Sequence, residues 1–315
     1  MTNSKAVPVE IQAPLETDFL IAGLGPAGAS LAAFLSRYGL TGLAISAASG
    51  TAKEPRAHIT NQGTLDALRD VGLMEQCRRA GTGGRALESY FLSDSMAGDV
   101  YGRLHSWGHD PARRGEYAAA SPNAHLDLPQ TRVEPMLVKF ATDHGFKARF
   151  DTELLRFEER GDGKVLCFLK DRITGAQYSV LTTYLFGADG GKSVVAKGLD
   201  LEFDSKPGGG LGYNLMVEAE MSHLMESRMG NLHWTYRLDK PVPYLVVWRM
   251  VEPWHEWLVS VLPSPGVDMS EPTLEQFEEI VRDTLGDDSI NVKVTDVSRW
   301  LVNEIVAKSY ARGNM

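Results

Sequence analysis

Three glycines at a fixed spacing constrain the fold of this chain more than any other sequence feature. Gly23, Gly25 and Gly28 form a G-x-G-x-x-G pattern directly after the apolar run 18–22, and apolar residues then recur at helical spacing over 31–38. A strand, a glycine turn and a helix in this order begin a doubly wound α/β sheet. The sequence therefore predicts a Rossmann-like opening at its N-terminal end.

In such a turn the first glycine permits the sharp bend, the second lets a pyrophosphate approach the backbone, and the third lets helix and strand pack closely. The N-terminus of the helix then stabilises the phosphate charge. We therefore expect Gly23, Gly25 and Gly28, with Pro26 and Ala27 between them, to bind a dinucleotide. A tight strand–helix turn without a ligand is the alternative that the pattern leaves open.

The second predicted strand, 43–45, departs from the usual nucleotide-binding pattern at its end. An Asp or Glu normally follows this strand and holds a ribose hydroxyl, but Ser46 stands at that position. Ser46 can form one hydrogen bond to a cofactor, although it brings no negative charge. The serine therefore weakens the case for a generic NAD site.

A second glycine cluster begins at Gly187 and contains Asp189 and Gly190. It follows the run 178–186, which we predict to be the last strand of a β-meander formed with the runs 154–157 and 165–169. An Asp at the end of a strand can accept hydrogen bonds from ribose or ribityl hydroxyls, because ligands bind at the carboxyl ends of such strands. An ordinary Asp-Gly turn is the alternative.

Length and composition exclude several classes of protein. The chain has 315 residues and a formal charge of −9, and no run of Lys and Arg marks a nucleic-acid binder. The two cysteines, Cys77 and Cys167, lie outside any C-x-x-C motif, and the histidines show no metal-ligand spacing, so neither a disulfide scaffold nor a metal site is expected. Since no apolar stretch is long enough to span a membrane and no signal peptide is evident, we expect a cytoplasmic protein without a membrane partner.

Four segments, in this order, resemble the class A flavoprotein monooxygenases, specifically the phenol hydroxylase and 2,4-dichlorophenol 6-monooxygenase branch: GLGPAGAS, PRAHITNQGTLDALRDVGL, DLPQTRVEPML and GADGGKSVVAKGL. The likeness covers roughly residues 17–312. It implies FAD as cofactor, NADPH or NADH as electron donor, and hydroxylation of a phenolic substrate with O2 through a flavin C4a-hydroperoxide.

The resemblance also implies a mixed α/β fold in which two domains interleave along the sequence. A Rossmann-like FAD-binding domain, with a parallel sheet and a β-meander, is expected over 17–92 and 125–200, with 296–315 returning to it. A mixed-sheet substrate-binding domain is expected over 93–124 and 201–295, after a polar lead-in at 1–16.

Further site residues follow from the resemblance, position by position. Arg56 and Gln62 match the segment that contacts the flavin, Gln130 matches a position near the FAD phosphates, and Asp189 with Gly190 matches a motif that serves both FAD and the nicotinamide cofactor. His58 falls where phenol hydroxylases carry an acidic group near the substrate hydroxyl.

His58 also has an independent chemical case as the catalytic residue. Transfer of oxygen from a flavin hydroperoxide is electrophilic, so a phenolate reacts better than a phenol, and a histidine is suited to take the phenolic proton at neutral pH. A loop histidine that hydrogen-bonds to the backbone is the alternative.

The region after residue 200 is rich in aromatic side chains on predicted strands. Such a sheet face can line an apolar pocket for an aromatic ring, while polar side chains orient its substituents. We expect substrate contacts from Asn214, Trp234, Tyr236, Trp248 and Arg249. An ordinary sheet core is the alternative for each aromatic residue.

In the family, a second Gly-Asp motif follows the segment that corresponds to 300–313, whereas this sequence stops at Met315 before it. We therefore expect weak retention of FAD, and either a homodimer or a complementing C-terminal chain as partner. Two alternatives to the hydroxylase remain: a non-catalytic fragment that binds a nucleotide or a partner, and a flavin-dependent halogenase or reductase. The segment Trp254–Trp257 does not supply the W-x-W-x-I-P element of tryptophan halogenases.

Overall fold

The computed structural model describes residues 13–237, 244–267, 269 and 271–315. The chain divides into two compact units. Unit 1 contains the described residues up to Ala52, Glu134–Phe203 and Ala307–Met315, and unit 2 contains Lys53–Val133 and the described part of Asp204–Val306. Compared with the predicted domains, this division places residues 53–92, 125–133 and 296–306 in unit 2 and residues 201–203 in unit 1. The assignment of a cofactor or a substrate to either unit stays a prediction.

The elements follow one another in mixed α/β order. The strands are β1 (Leu15–Ala22), β2 (Leu43–Ile45), β3 (Ile59–Thr60), β4 (Ser89–Ser93), β5 (Val100–His105), β6 (Leu126–Asp127), β7 (Lys147–Arg149), β8 (Thr152–Glu159), β9 (Val165–Asp171), β10 (Gln177–Gly187), β11 (Phe203–Glu218), β12 (Leu232–Thr235), β13 (Tyr244–Glu252), β14 (Glu256–Pro263) and β15 (Lys293–Ala307). The α-helices are α1 (Pro26–Arg37), α2 (Gln62–Asp70), α3 (Met74–Ala80), α4 (Arg114–Ala120), α5 (Gln130–Asp143), α6 (Val194–Gly198), α7 (Ser222–Arg228) and α8 (Leu274–Leu285).

Unit 1 is built on a six-stranded sheet in the order β7-β2-β1-β10-β9-β8. The first four strands are parallel, and β9 and β8 complete the sheet in antiparallel pairing. Strand β10 therefore belongs both to the parallel sheet and to the meander β8–β9–β10. The predicted Rossmann-like sheet with a β-meander is confirmed.

Local sequence explains this arrangement. The central strands β1 and β2 end in fully buried residues, as parallel strands do when both of their faces are covered. Between β8 and β9 the chain reverses at Gly163, whose φ of +79° lies in the left-handed region that favours glycine. The residues Gly161, Asp162 and Gly163 between the two apolar runs predict a turn at this place, and the structure confirms it.

Unit 2 contains a seven-stranded sheet in the order β15-β11-β14-β13-β12-β4-β5. Helix α8 packs its apolar face onto this sheet, with Phe277 and Val281 in the buried core. The helix starts with a capping box between Thr273 and Gln276 and ends at Gly286, which has a φ of +76°. Apolar residues at helical spacing followed by Gly286 predict that the helix ends there, which the structure confirms. Ser270, the residue that the sequence suggests as the cap, lies outside the described residues.

The two faces of this sheet differ in chemistry. Leu215, Trp248 and Val259 point to the core under α8. Because side chains alternate along a strand, Arg249 lies on the opposite face, where its cross-strand partner Leu258 packs in a separate small cluster. The sheet thus separates a buried core face from a face that carries polar side chains.

Two parts of the fold have no periodic signal in the sequence. The segment 93–124, which is rich in Gly, Ser and Pro and shows no clear period, contains β5 and α4, and both of these elements are mostly exposed. The apolar run of the sequence predicts a strand over 213–219, whereas β11 begins at Phe203, and its added residues 203–206 are exposed. Among the described residues, no helix is long and apolar enough to cross a membrane.

We predict that the buried His233 makes folding sensitive to acid. Desolvation lowers the pKa of His233 from its ordinary value of 6.5 to about 4, with a smaller lowering by Arg228. Between pH 6.5 and about 4, His233 is therefore protonated in the unfolded chain and neutral in the folded chain. The stability of the fold falls as the pH drops through this range. The loss is expected to be on the order of 3 kcal/mol across this window.

Chemical denaturation at a series of pH values measures this loss. His233→Gln should flatten the acid slope, because glutamine does not titrate. The same substitution at the exposed His105 is the matched control and should leave the slope unchanged. An unchanged slope in His233→Gln would contradict the assignment to His233.

Candidate functional site

Two glycines of the first motif are required by packing. A Cβ atom on Gly23 would lie 2.0 Å from the carbonyl oxygen of Ala188, and Gly23 has a φ of +109°. A Cβ atom on Gly28 would lie 1.9 Å from the carbonyl oxygen of Gly23. Any side chain at either position would force the backbone apart, so both glycines hold strand, turn and helix together.

Gly25 serves a different purpose, because no atom lies within 4 Å of the position that its Cβ would occupy. It is the N-cap residue of α1, and Pro26 follows at the first helical position. No side chain caps this helix and its first turn carries no acidic residue, so neither the cap nor the first turn compensates the positive end of the helix dipole. An open backbone at an uncapped helix N-terminus fits the pyrophosphate of a dinucleotide.

The second glycine cluster lies beside this turn. Ala22 of β1 is in register with Gly187 of β10, and the amide of Ala188 donates to the carbonyl of Ala22 at 2.7 Å. The amide of Gly23 in turn donates to the carbonyl of Ile45, the last residue of β2, at 2.8 Å. The carboxyl ends of three parallel strands therefore meet at one edge of the sheet, where α/β proteins bind ligands.

The Asp189 side chain fixes the local backbone. Its carboxylate accepts hydrogen bonds from the hydroxyl of Ser193 at 2.5 Å and from the amide of Val194 at 2.7 Å. It therefore shares any acceptor role towards a ribose hydroxyl with the capping of α6. Gly190 has open space around its Cβ position and a φ of +78°, so its backbone is the exposed part of this motif.

Ser46 lies at the same sheet edge, directly after β2. Its Oγ accepts a hydrogen bond from the backbone amide of Ala48 at 3.2 Å. The hydroxyl proton is left to donate to a ligand. The structure thus agrees with a single uncharged hydrogen bond from this position.

His58 lies in unit 2, immediately before β3, and is nearly buried. Its Nδ1 is 3.1 Å from Oδ2 of Asp127, and the side chains of the two residues are 10% and 0% exposed. Asp127 ends β6, which pairs with β3 in antiparallel register. The histidine ring therefore bonds to a buried carboxylate, and the alternative of a ring bonded to backbone is wrong.

Two further side chains extend this pair. Asn231 donates from Nδ2 to Oδ2 of Asp127 at 2.7 Å, and the indole nitrogen of Trp107 donates to Oδ1 of Asn231 at 3.3 Å. We call His58, Asp127, Asn231 and Trp107 the His58 network. Oδ1 of Asp127 is buried without a partner. Within the described chain, no three His, Cys, Asp or Glu side chains are grouped as a metal site requires.

Sequence reasoning missed three members of the His58 network. Asp127 stands in the DLPQ segment that supports the family resemblance, so that segment was the available signal. Asn231 lies 104 residues further along the chain, and nothing in the sequence pairs it with Asp127.

The three remaining cofactor candidates are also in unit 2. Arg56 is exposed beside Glu54, whose pKa is raised mainly by burial. Gln62 uses its side-chain nitrogen internally, donating to the carbonyls of Tyr117 at 3.0 Å and Asn123 at 2.7 Å, so only its Oε1 remains for a ligand. Gln130 begins α5, and its backbone amide donates to the carbonyl of Ala57 at 2.9 Å.

The five substrate candidates do not share one surface. Trp234 and Arg249 lie on the same face of the sheet, since Trp234 pairs with Val247, two residues from Arg249. Asn214 lies on this face too and accepts a hydrogen bond from Ser260 at 2.7 Å. Trp248 lies on the opposite face, fully buried, where its indole nitrogen donates to Thr284 of α8 at 3.3 Å.

The expectation that Trp248 lines a pocket is therefore corrected: strand alternation puts it in the core. Tyr236 lies just beyond the end of β12 and is exposed, so its role as a substrate contact stays a prediction. Asn214, Trp234 and Arg249 remain as the group that the structure brings to one face.

Arg249 is unusual among the charged residues of unit 2. Burial lowers the pKa of its guanidinium, and no hydrogen bond or ion pair to it occurs among the described residues. On the same face, the indole nitrogen of Trp234 is buried without a partner. Since buried arginines normally pair with an anion, this face lacks an acceptor that a bound molecule can supply.

A parallel sheet whose carboxyl edge carries an open glycine turn and an uncapped helix defines a dinucleotide-binding protein of the α/β class. The chain belongs to the FAD binding domain family, whose model matches residues 16–315. This match confirms the predicted flavoprotein resemblance and FAD as the cofactor of the family, and the open turn at Gly25 fits this cofactor.

Individual relatives agree with this family. The chain is 39% identical over 305 residues to a 2,4-dichlorophenol 6-monooxygenase of Cupriavidus pinatubonensis (strain JMP 134 / LMG 1197), covering 96% of this chain and 50% of that protein. It is 36% identical over 306 residues to a phenol 2-monooxygenase of Pseudomonas sp. (strain EST1001), covering 96% of this chain and 48% of that protein.

Among solved structures, the flavin-dependent monooxygenase PieE in complex with FAD and substrate superposes with a TM-score of 0.90 at 34% identity, covering 96% of this chain and 52% of that one. The chain thus spans about half the length of the curated relatives that it matches.

We predict that Gly25→Ala weakens FAD binding without unfolding the chain. The new methyl group meets no protein atom, but it occupies the space in which a pyrophosphate would approach the backbone. We expect the Kd for FAD to rise about tenfold or more, which corresponds to about 1.4 kcal/mol. Flavin fluorescence titration measures the affinity, and thermal denaturation measures the stability.

Two further glycines serve as comparisons. Gly161→Ala is the matched control, because Gly161 is also open and belongs to the same unit, so both FAD affinity and stability should be retained. Gly28→Ala should instead destabilise the fold itself, because its methyl group would collide with the carbonyl of Gly23. Unchanged FAD affinity in Gly25→Ala would contradict the proposed pyrophosphate site.

Proposed function

We propose that this chain provides the FAD-binding and substrate-binding parts of a monooxygenase that hydroxylates a phenolic ring. The observation that carries the proposal is the alignment of 96% of the chain with a chlorophenol and a phenol monooxygenase. The reaction consumes a phenol, O2, NAD(P)H and a proton, and yields the ring-hydroxylated product, NAD(P)⁺ and water. Bound FAD supplies the transfer of electrons to O2 and of one oxygen atom to the ring.

In unit 1, the backbone around Gly25 and the N-terminus of α1 would hold the pyrophosphate of FAD. Gly190 and Ser46, at the same sheet edge, would contact the hydroxyl-bearing part of the cofactor. Arg56, Gln62 and Gln130 of unit 2 are proposed contacts on the basis of the family resemblance. In unit 1, backbone groups would thus hold the cofactor in place, and the bound cofactor would carry out the redox chemistry.

In unit 2, His58 would take the proton of the substrate hydroxyl. Its ring presents Nε2 without a partner among the described residues, while Nδ1 is held by Asp127. The face with Asn214, Trp234 and Arg249 would bind the aromatic ring and its anionic oxygen. A positively charged guanidinium stabilises a phenolate, which is the more reactive form of the substrate.

The half-length coverage of the relatives fits a second reading equally well, namely a fragment that binds a nucleotide or a partner without catalysis. A homodimer or a complementing C-terminal chain is the proposed partner, and the cytoplasm is the proposed location.

The decisive assay mixes the chain with FAD and NADPH or NADH and adds a panel of phenols. Oxidation that phenols stimulate, with a hydroxylated product, supports the hydroxylase; a bound flavin spectrum without any turnover supports the second reading.

We predict that His58→Gln slows hydroxylation about 100-fold, because general-base catalysis commonly contributes a factor of this order. Reduction of the flavin in the absence of substrate should change little, since no substrate proton is transferred in that step. Product formation measured by chromatography and anaerobic stopped-flow reduction separate the two steps. Equal effects on both steps would show that His58 supports the fold or the cofactor site instead.

We predict that Arg249→Gln weakens the binding of phenol about tenfold, because the lone guanidinium loses its interaction with the substrate oxygen. Anisole, whose methylated oxygen cannot become an anion, should bind within about twofold of the wild type. Calorimetric titration of both ligands tests this difference. Arg79→Gln is the control, since Arg79 is exposed and already paired with Glu75. Equal losses for phenol and anisole would remove Arg249 from the proposed oxygen contact.

A further inference from the structure

The direction of each hydrogen bond in the His58 network can be assigned from the chemistry of its members. The Trp107 indole nitrogen is only a donor, so the Asn231 atom that it contacts must be the carbonyl oxygen. The amide nitrogen of Asn231 therefore points to Asp127. Trp107 thus fixes the orientation of Asn231, and Asn231 fixes the carboxylate of Asp127.

The carboxylate in turn determines the tautomer of His58. An ionised carboxylate only accepts hydrogen bonds, so the proton of the neutral ring lies on Nδ1, which is 3.1 Å from Oδ2. Nε2 is then the nitrogen that can take a proton. Without an acceptor at Nδ1, nothing within the described network would keep the ring in this form.

The Asp127 carboxylate is not needed to hold its own strand. The backbone amide and carbonyl of Asp127 both bond to Thr82, each at 2.8 Å. The side chain is completely buried, and Oδ1 has no partner, so one of its two oxygens is uncompensated. Burying a carboxylate in this way is costly, which favours a functional over a structural reason for it.

We infer that Asp127 is a positioning residue that holds His58 ready to accept a proton at Nε2 and stabilises the resulting imidazolium. This inference rests on the proposed function. In the step concerned, the O–H bond of the substrate hydroxyl breaks, an N–H bond forms at Nε2, and the electron pair stays on the oxygen as phenolate. The negative charge of Asp127 is then matched by the positive ring beside it.

The first test measures the tautomer of His58 by 15N NMR of the full chain, with assignments from His58→Gln. Wild type should show a protonated Nδ1 and an unprotonated Nε2. Asp127→Ala removes the acceptor, and the Nε2-protonated form should then predominate. If Asp127→Ala keeps the wild-type tautomer, the inference is overturned. This test needs neither substrate nor turnover, so its result is independent of the proposed function.

The second test measures charge and uses Asp127→Asn. An asparagine can place its oxygen where Oδ2 lies and its amide where the unpartnered Oδ1 lies, so both accepted hydrogen bonds and the fold should survive. The probe is 4-nitrophenol, whose phenolate form absorbs visible light. The ratio of phenolate to neutral probe bound should fall about tenfold from wild type to Asp127→Asn, which corresponds to one pH unit in the proton equilibrium.

Controls separate the possible failures. Trp107→Phe removes only the outermost donor and should leave the bound phenolate ratio within about twofold of the wild type. If His58→Gln lowers the ratio while Asp127→Asn does not, Asp127 is merely structural and the inference fails. If neither His58→Gln nor Asp127→Asn changes the ratio, the proposed base role of His58 fails, and the tautomer measurement alone decides whether Asp127 positions the ring. If Asp127→Ala does not fold, a wild-type ratio in Asp127→Asn still overturns the inference.

Discussion

Everything at the cofactor edge of unit 1 depends on the parallel pairing of β1 with β10. This pairing places Ala22 beside Gly187 and brings the two glycine motifs into direct backbone contact. The contact is so close that a Cβ on Gly23 would be 2.0 Å from the carbonyl of Ala188. A single missing side chain thus permits the helix of one motif and the turn of the other to share one sheet edge. The same requirement does not apply to Gly25, whose open surroundings are the part of the motif left for a ligand.

The sequence predicts the features that local patterns encode. The apolar strands, the Gly163 turn and the αL cap at Gly286 all follow from residue type and spacing, and each was found where expected. The face of a strand residue is also local information, yet Trp248 was assigned to a pocket because aromatic content suggested one. The alternation of side chains along β13 puts Trp248 in the core and Arg249 on the other face. Position along the strand is therefore a better guide than residue type to the face on which a side chain lies.

The His58 network could not be predicted in the same way, since its partners come from distant segments. The Asp127–Asn231 bond joins residues 104 positions apart, and only the folded sheet of unit 2 brings them together. A polar residue at a strand end is usually a turn residue, so apart from the family resemblance of the segment around Asp127, nothing in the sequence marks either side chain. The chemistry of His58 could be proposed from its residue type, but only the fold shows which carboxylate is hydrogen-bonded to its ring.

Two of the groups of unit 2 that lack a full set of partners have complementary chemistry. Among the described residues, the Arg249 guanidinium has no anionic partner, and the buried Asp127 has one carboxylate oxygen without a donor. They are connected through β12 and β13: the carbonyl of Asn231 accepts a hydrogen bond from the amide of Met250 at 2.9 Å, and Leu232 pairs with Arg249. In the proposed function, a phenol would interact with both groups: its proton would go to the histidine that Asp127 positions, and its oxygen would then offer a negative charge to Arg249.

If both interactions act on the same substrate oxygen, their effects are coupled, because a guanidinium stabilises the oxygen most strongly once the proton has left it. Loss of His58 should therefore reduce what Arg249 contributes to binding. Independent, additive losses would instead mean that the arginine recognises another part of the ligand.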